Sequence, residues 1–245
     1  MPDQYVDYLF FGAHPDDVEL GCGATIVKLV KSGATAGIVD LTHGEMGTRG
    51  TPAARKREAL NAARILGARF REQLDLGDGA LRTGREEELQ VVDVIRRHRP
   101  KVVFVMYPDD RHPDHTRTGR IVTEASFYAG LRRLERELPA YRPQAIVYYI
   151  QNYMFPPSFV VEVGATWKTK MRAVAAFKSQ FYDPKSRAKS KEPETFISSK
   201  RFIDLIEARG RHFGALIGSE YGEAFVTKQP PRVDDVIAAY GGREP

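Results

Sequence analysis

The chain holds a single cysteine, Cys22, in 245 residues. It can therefore build neither an intramolecular disulfide nor a thiolate metal cluster. Its neighbours Gly21, Gly23 and Ala24, in a helix-like stretch, mark a buried thiol rather than a reactive one. No apolar run approaches the ~20 residues that span a bilayer, and Met1-Pro2-Asp3-Gln4 has neither the basic nor the apolar segment of a secretory signal. These absences predict a cytoplasmic protein with no membrane partner. Acids are scarce in residues 168–211, which carry twelve Lys or Arg against five Asp or Glu, whereas residues 1–48 carry seven acids and only Lys28 and Lys31. Within a net charge of +5, that asymmetry suits an anionic small-molecule substrate. The dense run Lys185 to Lys191 has no interleaved aromatics for base stacking, so it predicts a solvated loop and no nucleic-acid partner.

What is present is an alternation of strand-like and helix-like segments. Apolar runs at Val6–Phe11, Ala36–Leu41, Phe70–Leu76 and Val102–Tyr107 alternate with helical patterns near Val18–Lys31, Pro52–Leu66, Glu86–His98 and Thr116–Leu134. Pro52 suits a first helical turn and Gly67 a stop. This rhythm predicts an α/β fold, a Rossmann-like, mostly parallel sheet with helices on both faces. Strands at Ala145–Ile150 and Phe159–Val163 and helices near Lys168–Ser179 and Ser199–Phe213 follow, read as a C-terminal cap region. The expected organisation is one domain over 1–245, with a metal-binding core in 1–135 completed by 145–245. The polar stretch Asp183–Glu194 reads as a mobile loop, and the aromatic stretch from Tyr148 to Phe155 as a candidate interface.

Two runs carry the chemistry: Ala13-His14-Pro15-Asp16-Asp17 and Arg111-His112-Pro113-Asp114-His115. Each follows a strand, at the edge where open α/β sheets place their ligands. Alone, an Asp-Asp pair at a helix start is an ordinary cap, and one His-x-x-His is as much a surface turn as a metal site. Together they offer three histidines and three aspartates. That supplies a three-ligand metal site with an open position, plus an acid and a base. Spacing separates neither Asp16 from Asp17 nor His112 from His115.

The pair of motifs resembles the AHPDD and HxDH pattern of the PIG-L/LmbE superfamily of zinc-dependent N-acetylglucosaminyl deacetylases. Gly47-Thr48-Arg49-Gly50-Thr51, Pro108-Asp109-Asp110-Arg111-His112, Pro157 to Val161, Lys178-Ser179-Gln180-Phe181, Ile206 to Arg209 and Tyr221 to Phe225 are similar to its bacillithiol-biosynthesis branch. The resemblance implies an LmbE-like fold with Zn²⁺ held by His14, Asp17 and His115. It implies Asp16 as general base, His112 as the protonated partner of the amide oxygen, and Asp114 orienting it. The resemblance further implies a homo-oligomer, with a hexamer among the expected forms.

The implied substrate is N-acetylglucosaminyl malate, cleaved to the glucosamine conjugate and acetate. Its two carboxylates call for arginines, and Arg49, Arg55 and Arg111 are the candidates, with Glu45 for sugar hydroxyls. Chitin oligomers and thiol-conjugate amides are alternatives within the same chemistry. A metal-dependent phosphoesterase would want a second metal, for which no ligand set is evident, and a His₂Asp site would also accept iron or cobalt.

Overall fold

A computed structural model of the chain describes residues 5–183 and 192–240, so most of the expected Asp183–Glu194 loop lies outside the described residues. Seven strands form one sheet: β1 (Tyr8–Gly12), β2 (Ala36–Asp40), β3 (Phe70–Gln73), β4 (Val102–Met106), β5 (Ala145–Tyr149), β6 (Phe159–Glu162) and β7 (Gly222–Val226), in the order β3-β2-β1-β4-β5-β7-β6. Pairing is parallel from β3 through β5, whereas β7 runs antiparallel to both β5 and β6. The central strands read as unbroken apolar runs because both faces are covered: Leu9, Phe10 and Phe11 of β1 are fully buried. Helices α1 (Asp17–Lys31), α2 (Pro52–Leu66) and α5 (Gly164–Val174) pack together, as do α3 (Arg85–His98) and α4 (Pro113–Tyr128), while α6 (Lys200–Ala215) lies against β7.

Sequence and structure agree closely at α2. The Thr51 side chain accepts from the Ala54 amide, Pro52 opens the helix, and Gly67 closes it in the left-handed region at φ 79°. Three expectations need correction. Strand β7 was not anticipated, since Gly222-Glu223-Ala224 lacks branched side chains. Helix α4 ends at Tyr128 rather than Leu134. Gly130 follows, and the Arg96 guanidinium collects the carbonyls of Ala129, Leu131, Leu134 and Leu138, groups that a continued helix would have used internally. Finally, Tyr148, Tyr149 and Ile150 are core residues and cannot serve an interface, although Tyr153 and Met154 are exposed.

Helix α1 is broken in its middle. Cys22 has φ −147° and ψ 21°, outside helical values, and a Cβ on Gly21 would lie 2.3 Å from the Tyr149 ring. Breaking a helix orphans carbonyls before the break and amides after it. Here Glu223, from β7, accepts from the Ala24 and Thr25 amides at 3.1 and 2.7 Å. The Leu20 carbonyl accepts from Lys170 Nζ (2.9 Å) and Arg209 Nη2 (2.8 Å). Lys170 and Glu223 form a buried ion pair at 2.6 Å.

Candidate active site

The two motif loops leave the carboxyl ends of β1 and β4, which are neighbours paired in register from Tyr8 with Val102 to Phe11 with Val105. The chain proceeds from β1 toward β3 on one side and from β4 toward β5 on the other, so the loops meet at the topological switch point, where a crevice is unavoidable. Pro15 and Pro113 each follow a histidine and disfavour helical backbone there; His112 is extended at φ −90°, ψ 122°, and α4 begins at the next residue, α1 three residues after His14.

His14, Asp17 and His115 are all buried, and one ligand atom from each lies within 4.8 Å of the others. Asp17 Oδ2 accepts from the His14 amide at 2.8 Å and lies 3.3 Å from His14 Nδ1, while Oδ1 lies 3.2 Å from His115 Nε2. Gln151 Nε2 donates to Oδ1 at 2.6 Å. The far nitrogen of each ring meets a carboxylate: His14 Nε2 is 3.0 Å from Asp78 Oδ1, and His115 Nδ1 is 3.0 Å from Asp110 Oδ1. Carboxylates behind imidazoles fix tautomer and ring orientation in metal centres. Burial drives the two histidines toward neutrality, but the surrounding carboxylates outweigh it, raising His115 to about 9 and His14 well above its usual value. The same rings outweigh burial at Asp17 and hold its carboxyl well below the usual range. This donor set draws positive charge and fits a divalent cation of zinc's ligand preferences. A second set, His14, His112 and Asp114, overlaps it, but Asp114 Oδ2 there is occupied by the Gly79 amide at 2.7 Å.

Asp16 stands beside the first set without belonging to it. Its backbone is in the left-handed region at φ 122°, ψ −24°, a conformation that costs a non-glycine residue about 1–3 kcal/mol. Arg55 holds it there. Nη2 donates to the Pro15 carbonyl (2.9 Å) and Asp16 Oδ2 (3.2 Å), and Nη1 to the Gly44 carbonyl (2.7 Å). Gly44, at φ +68°, is required: a Cβ there would lie 2.0 Å from Arg55 Nη1. Burial pushes the Asp16 carboxyl up to about 7 despite the opposing pull of Arg55. Beneath the site, Arg71 of β3 forks onto both oxygens of Asp40 at 2.8 Å and pairs with Glu19 of α1, locking the base of that helix to the sheet.

The remaining nominated residues are placed differently from expectation. His112 Nδ1 accepts the Asp114 amide at 3.2 Å, so its proton sits on Nε2. Burial, then the His115 and His14 rings, lowers its pKa. The Asp114 carboxylate lies 3.5 Å from His14 Nε2 and 3.2 Å from Arg117 Nη1; His112 is oriented by the Asp114 backbone instead. Glu45 is outside the cavity and accepts from the Asp78 and His43 amides. Arg49 and Arg111 line the cavity, but Arg49 is bonded to the carbonyls of Ser179 and Pro193. Asp78, Asp110, Gln151 and Asn152 were missed. Of these, only Asp78, between Gly77 and Gly79 after a strand, and Asp110, in the run Asp109-Asp110 before the second motif, left a trace in the sequence.

Residues 9–126 match the family model of the PIG-L GlcNAc-PI de-N-acetylases. The diacetylchitobiose deacetylase of Thermococcus kodakarensis is 36% identical over 183 residues, covering 69% of this chain and 67% of that protein. The chain belongs to the PIG-L family. A probable N-acetyl-α-D-glucosaminyl L-malate deacetylase 2 of Bacillus anthracis is 29% identical over 69% of this chain and 78% of its own length. Among solved structures, the conserved protein TT1542 of Thermus thermophilus superposes with a TM-score of 0.85 at 37% identity, over 94% of this chain and 98% of that one. The chain is thus a deacetylase of N-acetylglucosamine-type substrates. Among the described residues, no helix is long and apolar enough to cross a membrane.

Proposed function

We propose that this PIG-L protein is a zinc-dependent hydrolase that removes the acetyl group from an N-acetylglucosamine conjugate, with His14, Asp17 and His115 as ligands. His14, Asp17 and His115 would hold a zinc ion that would supply Lewis acidity to the acetamide carbonyl and to the attacking water. Asp16 takes a proton from that water as its oxygen bonds to the acetyl carbon. The His112 Nε2–H donates to the carbonyl oxygen as negative charge develops on it. The C–N bond then breaks as Asp16 returns its proton to the departing sugar nitrogen, and the second water proton passes from the new carboxyl group to the amine, leaving acetate and an ammonium. A carboxyl near 7 serves both transfers, because a proton carrier works best when its pKa matches the working pH.

The observation that carries this reading is Asp16 itself, buried, strained and clamped by Arg55 next to a donor triple it does not join. The finer expectation, N-acetylglucosaminyl malate, draws support from the likeness to the Bacillus anthracis protein, and diacetylchitobiose from the likeness to the Thermococcus one. The test is acetate release from both substrates before chelation, after it, and after zinc is restored. Activity that disappears and returns supports the reading; acetate release indifferent to chelation defeats it.

A further inference from the structure

The crevice above the donor triple is one continuous cavity of about 740 Å³, within the roughly 300–1,000 Å³ of pockets that enclose drug-sized molecules. Its lining combines the polar groups of the two motifs with an apolar wall of Phe181, Phe196, Phe202, Leu205, Ile206 and Met154. The Phe181 and Phe202 rings lie parallel with centroids 5.8 Å apart, and Phe196 meets Phe202 edge-on at 5.5 Å. Phe196, Leu205 and Met154 retain 50%, 46% and 51% of their surface exposed. Clustered exposed apolar area beside polar catalytic groups marks a ligand contact, since water gains nothing from it.

Other polar groups of the lining are turned into the protein. Arg49 is spent on the Ser179 and Pro193 carbonyls, and Gln180 Nε2 donates to the Arg49 carbonyl at 2.7 Å. Thr195 Oγ1 accepts from the Ser198 amide, and Arg209 donates to the carbonyls of Leu20 and Gln151. We infer that this wall is a subsite for an apolar aglycone, so that the molecule deacetylated is an acetamido sugar bearing an aryl or alkyl group. The inference rests on the deacetylase reading of the two motifs. A dicarboxylate aglycone asks for convergent cations; among the described residues of the cavity, Arg49, Arg55 and Arg209 are already bonded to main-chain carbonyls, and Arg111 stands in the second motif.

The test measures acetate release by the zinc-loaded protein from phenyl N-acetyl-β-glucosaminide, N-acetylglucosamine, diacetylchitobiose and N-acetylglucosaminyl malate. The phenyl conjugate is expected to exceed the others in kcat/KM by about tenfold, the scale on which apolar pockets discriminate. Leu205→Ser and Phe196→Ser, at half-exposed positions, are expected to cut that value roughly fivefold more for the phenyl conjugate than for N-acetylglucosamine, through KM. Equal or better turnover of the malate conjugate or of diacetylchitobiose overturns the inference, as do equal losses across all substrates. If none of the four releases acetate, the deacetylase reading fails on its own. The subsite is then decided by calorimetric binding of phenyl against methyl β-glucoside: tighter phenyl binding that Leu205→Ser weakens upholds it, and equal affinities overturn it.

Discussion

Asp16 combines a left-handed backbone with a carboxyl closed off from water, and both features follow from its place between a strand and the first turn of α1. Asn tolerates that backbone region, so Asp16→Asn is expected to keep zinc and stability while kcat falls by about 10²–10⁴-fold. Metal analysis beside steady-state kinetics checks this; kcat within roughly tenfold of the parent would assign the proton to another group. Gly44→Ala strikes the same clamp from the far side. Its φ of +68° and the 2.0 Å approach to Arg55 predict a loss of about 1 kcal/mol or more in urea unfolding, together with a fall in kcat. At this scale the sequence was legible wherever a motif followed a strand: His14, Asp16, Asp17, His112 and His115 all line one cavity. Asp78 and Asp110 were not, because their roles come from folding onto rings 64 and 5 residues away. The part expected of the Asp114 carboxylate fell to its backbone for the same reason: which end of a residue faces a neighbour is a tertiary outcome.

Among the elements, helix α1 depends most on distant parts of the chain. The Glu223 carboxylate caps its second half, and Lys170 answers both that carboxylate and the carbonyl at the break. Lys170→Met leaves Glu223 buried without its counter-ion and is expected to cost about 3–5 kcal/mol in denaturant unfolding. A loss of under about 1 kcal/mol, the scale of an exposed pair, would show that the Ala24 and Thr25 amides suffice. The central parallel strands and the capped helix α2 could be read from periodicity and punctuation. Strand β7 could not, because its residues are chosen for α1: Glu223 points at the broken helix, and a Cβ on Gly222 would lie 2.8 Å from the Gly214 nitrogen of α6.

The molecule as a whole is tied at the sheet edge opposite the site by Asp7. Its carboxylate takes Lys101 Nζ at 2.8 Å and the amide and hydroxyl of Thr35 at 2.9 and 2.8 Å, joining the starts of β1, β2 and β4. The Lys101 contact, then Thr35, holds its pKa at about 2. A depressed carboxylate stabilises the fold above its unfolded value of about 3.9, and the contribution fades as pH falls toward 2. Asp7→Asn should therefore lower the midpoint of urea unfolding at pH 7, with parent and variant converging near pH 2; a constant gap across that window would contradict it. The charge asymmetry read from the sequence has a partial outcome. Of the basic C-terminal third, Arg209 and Lys170 serve the broken helix, and Arg211 pairs with Glu207 at 3.1 Å. The break in α1 also bears on how the protein is made. A nascent chain that has emerged as far as Tyr128 already carries all three proposed ligands, yet Gln151, Lys170, Arg209 and Glu223, which brace Asp17 and its helix, are still to come. The full bracing of Asp17 and its helix is thus complete only once the last strand of the sheet is in place.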